Sequence, residues 1–476
     1  MTKETSEQIE VDVVLTPEQI NEQTINKADS ALHLIVKTVE TFDQRYIFKT
    51  LRDLVSIRKK LNVHVLSHLI NFYLNDTTKQ YLLQAINASP STEQQERGEV
   101  LPEINLTIHW LVQLYLLDQA QLQQLDMLNT QFIIPAMKQY NRRSLDLINA
   151  KIWFYISRTK ELLNDLVSIR AELLLALRTS TIKHDNETSG SLITLILRNY
   201  ILSHDYSQAS NFIEKIEFPK NVSTSIESRY FYYLAKINSV QLNYSDAYEF
   251  VITAIRKAPQ TQNAQGFLQS AFKLSVLIEL LTGDVPELSY FNKSGVPQQV
   301  LKPYQDITQA VKLGDLKLFN DSLAKYREVY IADDNLSLVE RLKSNVIKTG
   351  IRIISLSYTK IHLKDICIKL HLDNESSAEY IVSKAIRDGV IDAKINHQLG
   401  YIESNELNNL YSTKLPQEQF NQRINFVNSL HNDSVMAMRY PPSQNRRDVN
   451  TKAGNEDELD EEELMNALED LDSDFF

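Results

Sequence analysis

Two pairs of side chains stand at a metal-ligand spacing. His64 and His68 lie at i and i+4 in a helical pattern, which would put both imidazoles on one face. No Glu occupies the place a metalloprotease uses for its base, and no third ligand is near in sequence. The pair therefore reads as helix-surface or partly buried histidines. Cys367 and His371 share the spacing, but four zinc ligands cannot be assembled there, so Cys367 reads as a small core residue. Carboxylates are plentiful and converge on no pocket legible in the sequence. Ten glycines in 476 residues fall well below the usual ~7%. No GxGxxG, phosphate loop or nucleophile elbow occurs. The expectation is a non-enzyme with no catalytic residue, no metal and no cofactor.

Charge narrows the partners. The chain carries 61 acidic and 50 basic residues, a formal net charge of −11. Eleven acids and no base fall between Gly454 and Phe476, so residues 1–453 balance at 50 against 50. A neutral body lacks the surplus of Lys and Arg that a phosphate backbone or an anionic membrane demands. Arg58-Lys59-Lys60 and Arg142-Arg143 are local basic spots, either a solvated face or, for Arg58, Lys59 and Lys60, a weak dock for an acidic partner. One cysteine excludes an intrachain disulfide and fits a reducing compartment. The first residues show no secretory h-region, and no apolar run approaches the ~20 residues of a membrane helix.

The elements that must carry these residues are mostly helices. A flexible arm is expected over 1–16, ended by the capping box Thr16-Pro17-Glu18-Gln19. Helical hairpins follow over 17–185, with helices expected at 104–134, 136–158 and 160–180. Residues 186–344 hold a repeat: Asp205-Tyr206-Ser207-Gln208-Ala209 recurs as Asn243-Tyr244-Ser245-Asp246-Ala247, offset by 38. This resembles the helix-turn-helix unit of tetratricopeptide (TPR) repeats and predicts a right-handed TPR-like solenoid; an unrelated helical bundle is the rival arrangement. The hexapeptide at Asp53–Arg58 recurs at Asp165–Arg170 without further extension and reads as chance.

From 345 to 412 the grammar becomes helix, strand, helix, helix and hairpin, the order of a winged helix. Strands are expected at Lys360–Leu363, Val390–Ile395 and Leu399–Ile402. Ser376-x-x-Glu379 reads as a capping box and Gly389 as the helix stop. Residues 350–405 hold seven bases and seven acids, which favours protein contact over groove binding, by pairing of an open sheet edge. Val390, Ile391, Ile395 and Tyr401 are the candidate contact residues of the wing. Residues 413–442 carry one more helix, with Phe420, Ile424, Val427, His431, Val435 and Met438 on one seam. Such a seam suits an intersubunit bundle. In the acidic tail, 443–476, Leu464, Ala467 and Leu468 could form a short docking helix. That segment resembles a ubiquitin-interacting motif, but Leu471 stands where the motif has Ser.

A helical-repeat solenoid running into a winged helix and a further helix resembles the PCI family. The match rests on Tyr358-x-x-Ile361-x-Leu363-x-Asp365-Ile366, Ala378-Glu379 and Lys384 to Asn396. Strings at Leu197–Tyr200, Ala254–Pro259, Asn345–Gly350, Ile354–Tyr358 and Met436–Arg439 narrow it to PCI subunits of the proteasome lid. The resemblance implies a scaffold subunit supporting ubiquitin-dependent degradation in cytoplasm and nucleus. Its implied partners are other lid subunits, especially non-ATPase subunits 7 and 12 and a small acidic lid subunit. The rival class is a nucleic-acid-binding PCI protein of the translation-initiation or mRNA-export type.

Overall fold

The computed structural model describes residues 17–41, 43, 45–74, 76–86, 101–140, 142–291, 298–372, 374–405 and 413–439. The expected arm over 1–16 and the expected acidic tail lie outside them. The described chain forms two compact units. One is built on residues up to Gln305 with Glu328–Leu338, the other on Asp306–Arg327 and the chain from Val339.

The first unit is a succession of helices. One continuous apolar cluster runs from Ala28 to Ile237, across position 185. The repeated pentapeptides behave alike. Each opens the second helix of a hairpin, Tyr206–Lys215 and Tyr244–Lys257. In each, the small residue, Ala209 or Ala247, is fully buried, because the preceding helix (Asn186–Leu202 or Thr224–Val240) crosses there. A larger side chain would hold the two helices apart.

The turns explain the low glycine content. His204 and Leu242 have φ of 59° and 76°, and the next N–H in each bonds five residues back, Asp205 to Tyr200 and Asn243 to Asn238. The same left-handed turn recurs at Ala120, Asn164, His184 and Asp334. Glycine is the usual occupant of this conformation; here other residues adopt it, at a cost of roughly 1–2 kcal/mol each.

All three expected helices differ in the structure: 136–158 is broken between Ile134–Gln139 and Asp146–Leu162, and the other two are shorter. The stretch 104–134 divides into Pro102–Asp118 and Leu122–Leu128 at the left-handed Ala120. The stretch 160–180 starts only at Arg170, because Leu163–Ile169 turn between Asp146–Leu162 and Arg170–Lys183. A widened turn at Asn129–Ile133 precedes Pro135, which has no N–H to offer the regular helix ladder.

The second unit contains the winged helix. The helix Leu336–Ser357 leads into β1 (Lys360–His362), then Leu363–Leu370 and Glu375–Arg387, then β2 (Ala393–Asn396) and β3 (Tyr401–Ser404). The sheet is antiparallel in the order β1-β3-β2, with Ile361 and Ile395 both opposite Ile402. Its core joins Ile366, Leu370, Ala378, Val382 and Ala385 to that sheet. Gly314 and Gly350 let the chain pass closely: a Cβ on Gly350 would meet Gly314 O at 2.7 Å and Leu370 at 2.7 Å. Gly389, at φ 71°, ends its helix as expected. Ser376 is not the cap. It lies inside a helix entered through Asn374, which makes no side-chain capping bond.

Candidate protein-protein interface

The helix Leu415–Arg439 is the most open element. Its seam residues follow one another at steps of three or four, all apolar but His431, yet none of its residues is buried. Phe420, Ile424, Val427 and Met438 are 63, 56, 59 and 74% exposed. His431 is exposed beside them and Val435 is half-buried. Burying one such side chain is worth about 1.5–3 kcal/mol, so a single seam of this length can bind a partner helix by knobs-into-holes packing.

The wing differs from expectation in detail. Ile391 is 8% exposed and belongs to the domain core; it cannot be a contact residue without unfolding the wing. Val390 lies outside the strands, packs half-buried against that core, and donates its N–H to Ala385 O. Tyr401 sits on β3, the central strand, whose backbone is paired on both sides. Its ring lies edge-on to His362 at 6.4 Å, with the Lys360 ammonium 5.7 Å away. The edges open to a further strand are therefore β1 and β2. Of the expected contact residues, only Ile395 stands on an edge, and its side chain packs inward.

Three of the seven basic residues over 350–405 are paired with carboxylates. Lys360 pairs with Glu403 at 3.1 Å, Lys364 with Glu375 at 3.8 Å, and Arg387 with Asp388 at 3.2 Å. Lys348 also reaches Asp388 at 3.0 Å. The hydrogen bond from Lys348, followed by that from Arg387, holds the Asp388 carboxyl below its ordinary range. The seven-to-seven balance of bases and acids over 350–405 leaves no surplus of positive charge, which weighs against groove binding.

Arg58 is paired with Asp118 and lines a cleft with other arginines. Its Nε and Nη2 donate to Asp118 at 3.0 and 2.7 Å. Lys59 and Lys60 are exposed at the helix end. Leu464, Ala467 and Leu468 lie outside the described residues.

The candidate metal ligands gather no third ligand among the described residues. His64 and His68 are both exposed, and His68 stacks on Phe72 at 5.9 Å. Burial pushes the Cys367 thiol up, and its Sγ faces Asn374 O at 3.4 Å. His371 caps its helix in the left-handed conformation. No group of three or more metal-ligating side chains comes together among the described residues. No described helix is long and apolar enough to cross a membrane. A pair the sequence did not signal, the half-buried Tyr81 and the buried His109, is hydrogen-bonded in the first unit. His109 also contacts Asn105 O at 2.7 Å, and burial lowers its pKa.

Sequence reasoning also missed a cleft of about 550 Å³ in the first unit. Arg58, Arg158, Arg198 and Arg229 line it with Glu161 and aromatic walls. Each arginine comes from a different helix, so no spacing in the sequence could announce it.

Comparison with known proteins agrees with this layout. Residues 22–308 match a family model described as PSMD3-like, N-terminal TPR repeats. Residues 323–406 match the PCI domain, and residues 409–474 match a model for the C-terminal region of a proteasome regulatory subunit. The chain is 45% identical to the 26S proteasome regulatory subunit RPN3 of Saccharomyces cerevisiae, over 88% of this chain and 87% of that protein. It is 38% identical to the probable 26S proteasome regulatory subunit rpn3 of Schizosaccharomyces pombe, over 91% and 89%. It is 37% identical to the 26S proteasome non-ATPase regulatory subunit 3 of Dictyostelium discoideum, over 87% and 86%.

Proposed function

The chain belongs to the family of 26S proteasome regulatory subunit 3, and from that membership we propose that it is a non-catalytic scaffold of the regulatory-particle lid. In this role it supports degradation of ubiquitinated proteins by holding other subunits in place. The observation that carries the reading is the exposed seam Phe420, Ile424, Val427 and Met438 on a helix that buries nothing of its own. The seam enters a helical bundle with other lid subunits. The β1 and β2 edges of the winged helix are the second contact, made by strand pairing with neighbouring PCI subunits. Non-ATPase subunits 7 and 12 and a small acidic lid subunit are the proposed partners. Cytoplasm and nucleus are the proposed locations.

The test is a double variant, Ile424→Asp with Val427→Asp, in the full chain. Because both side chains are exposed in the isolated protein, its melting temperature should stay unchanged. Reconstitution with the remaining proteasome regulatory subunits should fail to incorporate it. Incorporation at the wild-type level would sink the bundle.

A further inference from the structure

The arginine-lined cleft has no place in the bundle and strand-pairing contacts. Arg198 grips Glu161 through Nε and Nη2 at 3.0 and 2.7 Å, and Arg158 reaches the same carboxylate at 2.6 Å. Arg198 also donates to Tyr233 Oη at 3.3 Å. The Arg229 guanidinium lies 5.9 Å from the Phe154 ring centroid. The lining thus holds four guanidiniums against one carboxylate, Glu161, and Asp118 adds a second behind Arg58. The side chains of Arg58, Arg158 and Arg198 keep 29, 40 and 38% of their surface exposed. They can take further acceptors without leaving their present partners, since each guanidinium has five N–H donors. Tyr232, Tyr233 and Phe267 add aromatic walls. The occupant such a cleft suits is an extended chain rich in carboxylates and carrying apolar rings.

The chain itself contains one. Its last 23 residues, 454–476, hold eleven acids and no base, and end in Asp472-Ser473-Asp474-Phe475-Phe476. The first acid of this run follows Arg439 by 17 positions, a tether that can span roughly 60 Å when extended. A tethered ligand acts at an effective concentration in the millimolar range when its linker reaches. Weak carboxylate-guanidinium contacts then suffice for occupancy. We propose that the acidic C-terminal segment Glu456–Phe476 docks in cis into the cleft of Arg58, Arg158, Arg198 and Arg229. The isolated protein would thereby screen its own basic cleft.

Photo-crosslinking in the full chain tests this. With p-benzoylphenylalanine in place of Phe475, irradiation of dilute protein should give intramolecular products. These should map to peptides around 154–161, 194–198 or 229–233. The yield should not change on tenfold dilution. It should fall roughly fivefold or more at 1 M salt, where the screening length is ~3 Å. Arg158→Glu, at a half-exposed position, should lower it similarly with the melting temperature kept. If Arg158→Glu does not fold, the salt series on the unaltered cleft still decides. Crosslinks elsewhere on the chain, products only between molecules, or a yield indifferent to salt would each overturn the proposal.

Discussion

At the scale of single residues, Asp146 is the group whose titration the fold shifts most usefully. It opens the helix Asp146–Leu162. Burial first, then the neighbouring Asp185 carboxylate, raise its pKa to about 7, against the opposing charges of Arg143 and Lys183. The folded state therefore prefers the protonated acid. The stability this contributes is full below the ordinary carboxyl value of ~3.9 and is lost as pH rises through about 7. Asp146→Asn keeps the shape and removes the titration. Its melting temperature should exceed that of the parent at pH 8, and the difference should vanish near pH 4. An equal offset at both values would show that the carboxyl pair does not govern this junction. The sequence held both aspartates but not their meeting, because residues 146 and 185 approach only when two helix starts pack together.

At the scale of elements, the repeat and its turns were legible in part. The match of residues 205–209 with 243–247 was visible as letters. Its physical content, a fully buried Ala in each copy, follows from the close crossing of the preceding helix. Ala247→Leu should destabilise the protein by about 1–3 kcal/mol through overpacking, measured by denaturant unfolding. Leu242 was not legible as a strained position. It is a β-carbon-bearing residue at φ 76°, 63% exposed. Leu242→Gly should relieve the left-handed conformation and stabilise by ~0.5–1 kcal/mol; a loss of stability there would show that Leu242 packs productively. The wing shows where periodicity misleads. Val390 to Ile395 reads as one strand, but only Ala393–Asn396 pairs. Ile391 is drawn into the core by Ile366, Val382 and Ile402.

At the scale of the whole molecule, the two kinds of contact should respond oppositely to salt. Incorporation through the apolar seam of Leu415–Arg439 should survive 1 M salt in a reconstitution assay, whereas crosslinking of the tail to the arginine cleft should not. Composition, charge division and helical period already determined a helical, neutral body with a winged helix and an acidic end. These are properties of local sequence, and local sequence sets period, capping and charge. Tertiary structure alone decided which of those residues meet. The hexapeptide of residues 53–58 is helix Arg45–Arg58 in one place. At 165–169 the same letters turn and Arg170 opens the next helix, its side chain held by Asn199 and Asp205 at 2.7 and 2.8 Å. Arg58, Arg158, Arg198 and Arg229 likewise share a cleft only because four helices stack. Contacts between residues far apart in the chain depend on packing, and no reading of spacing contains them.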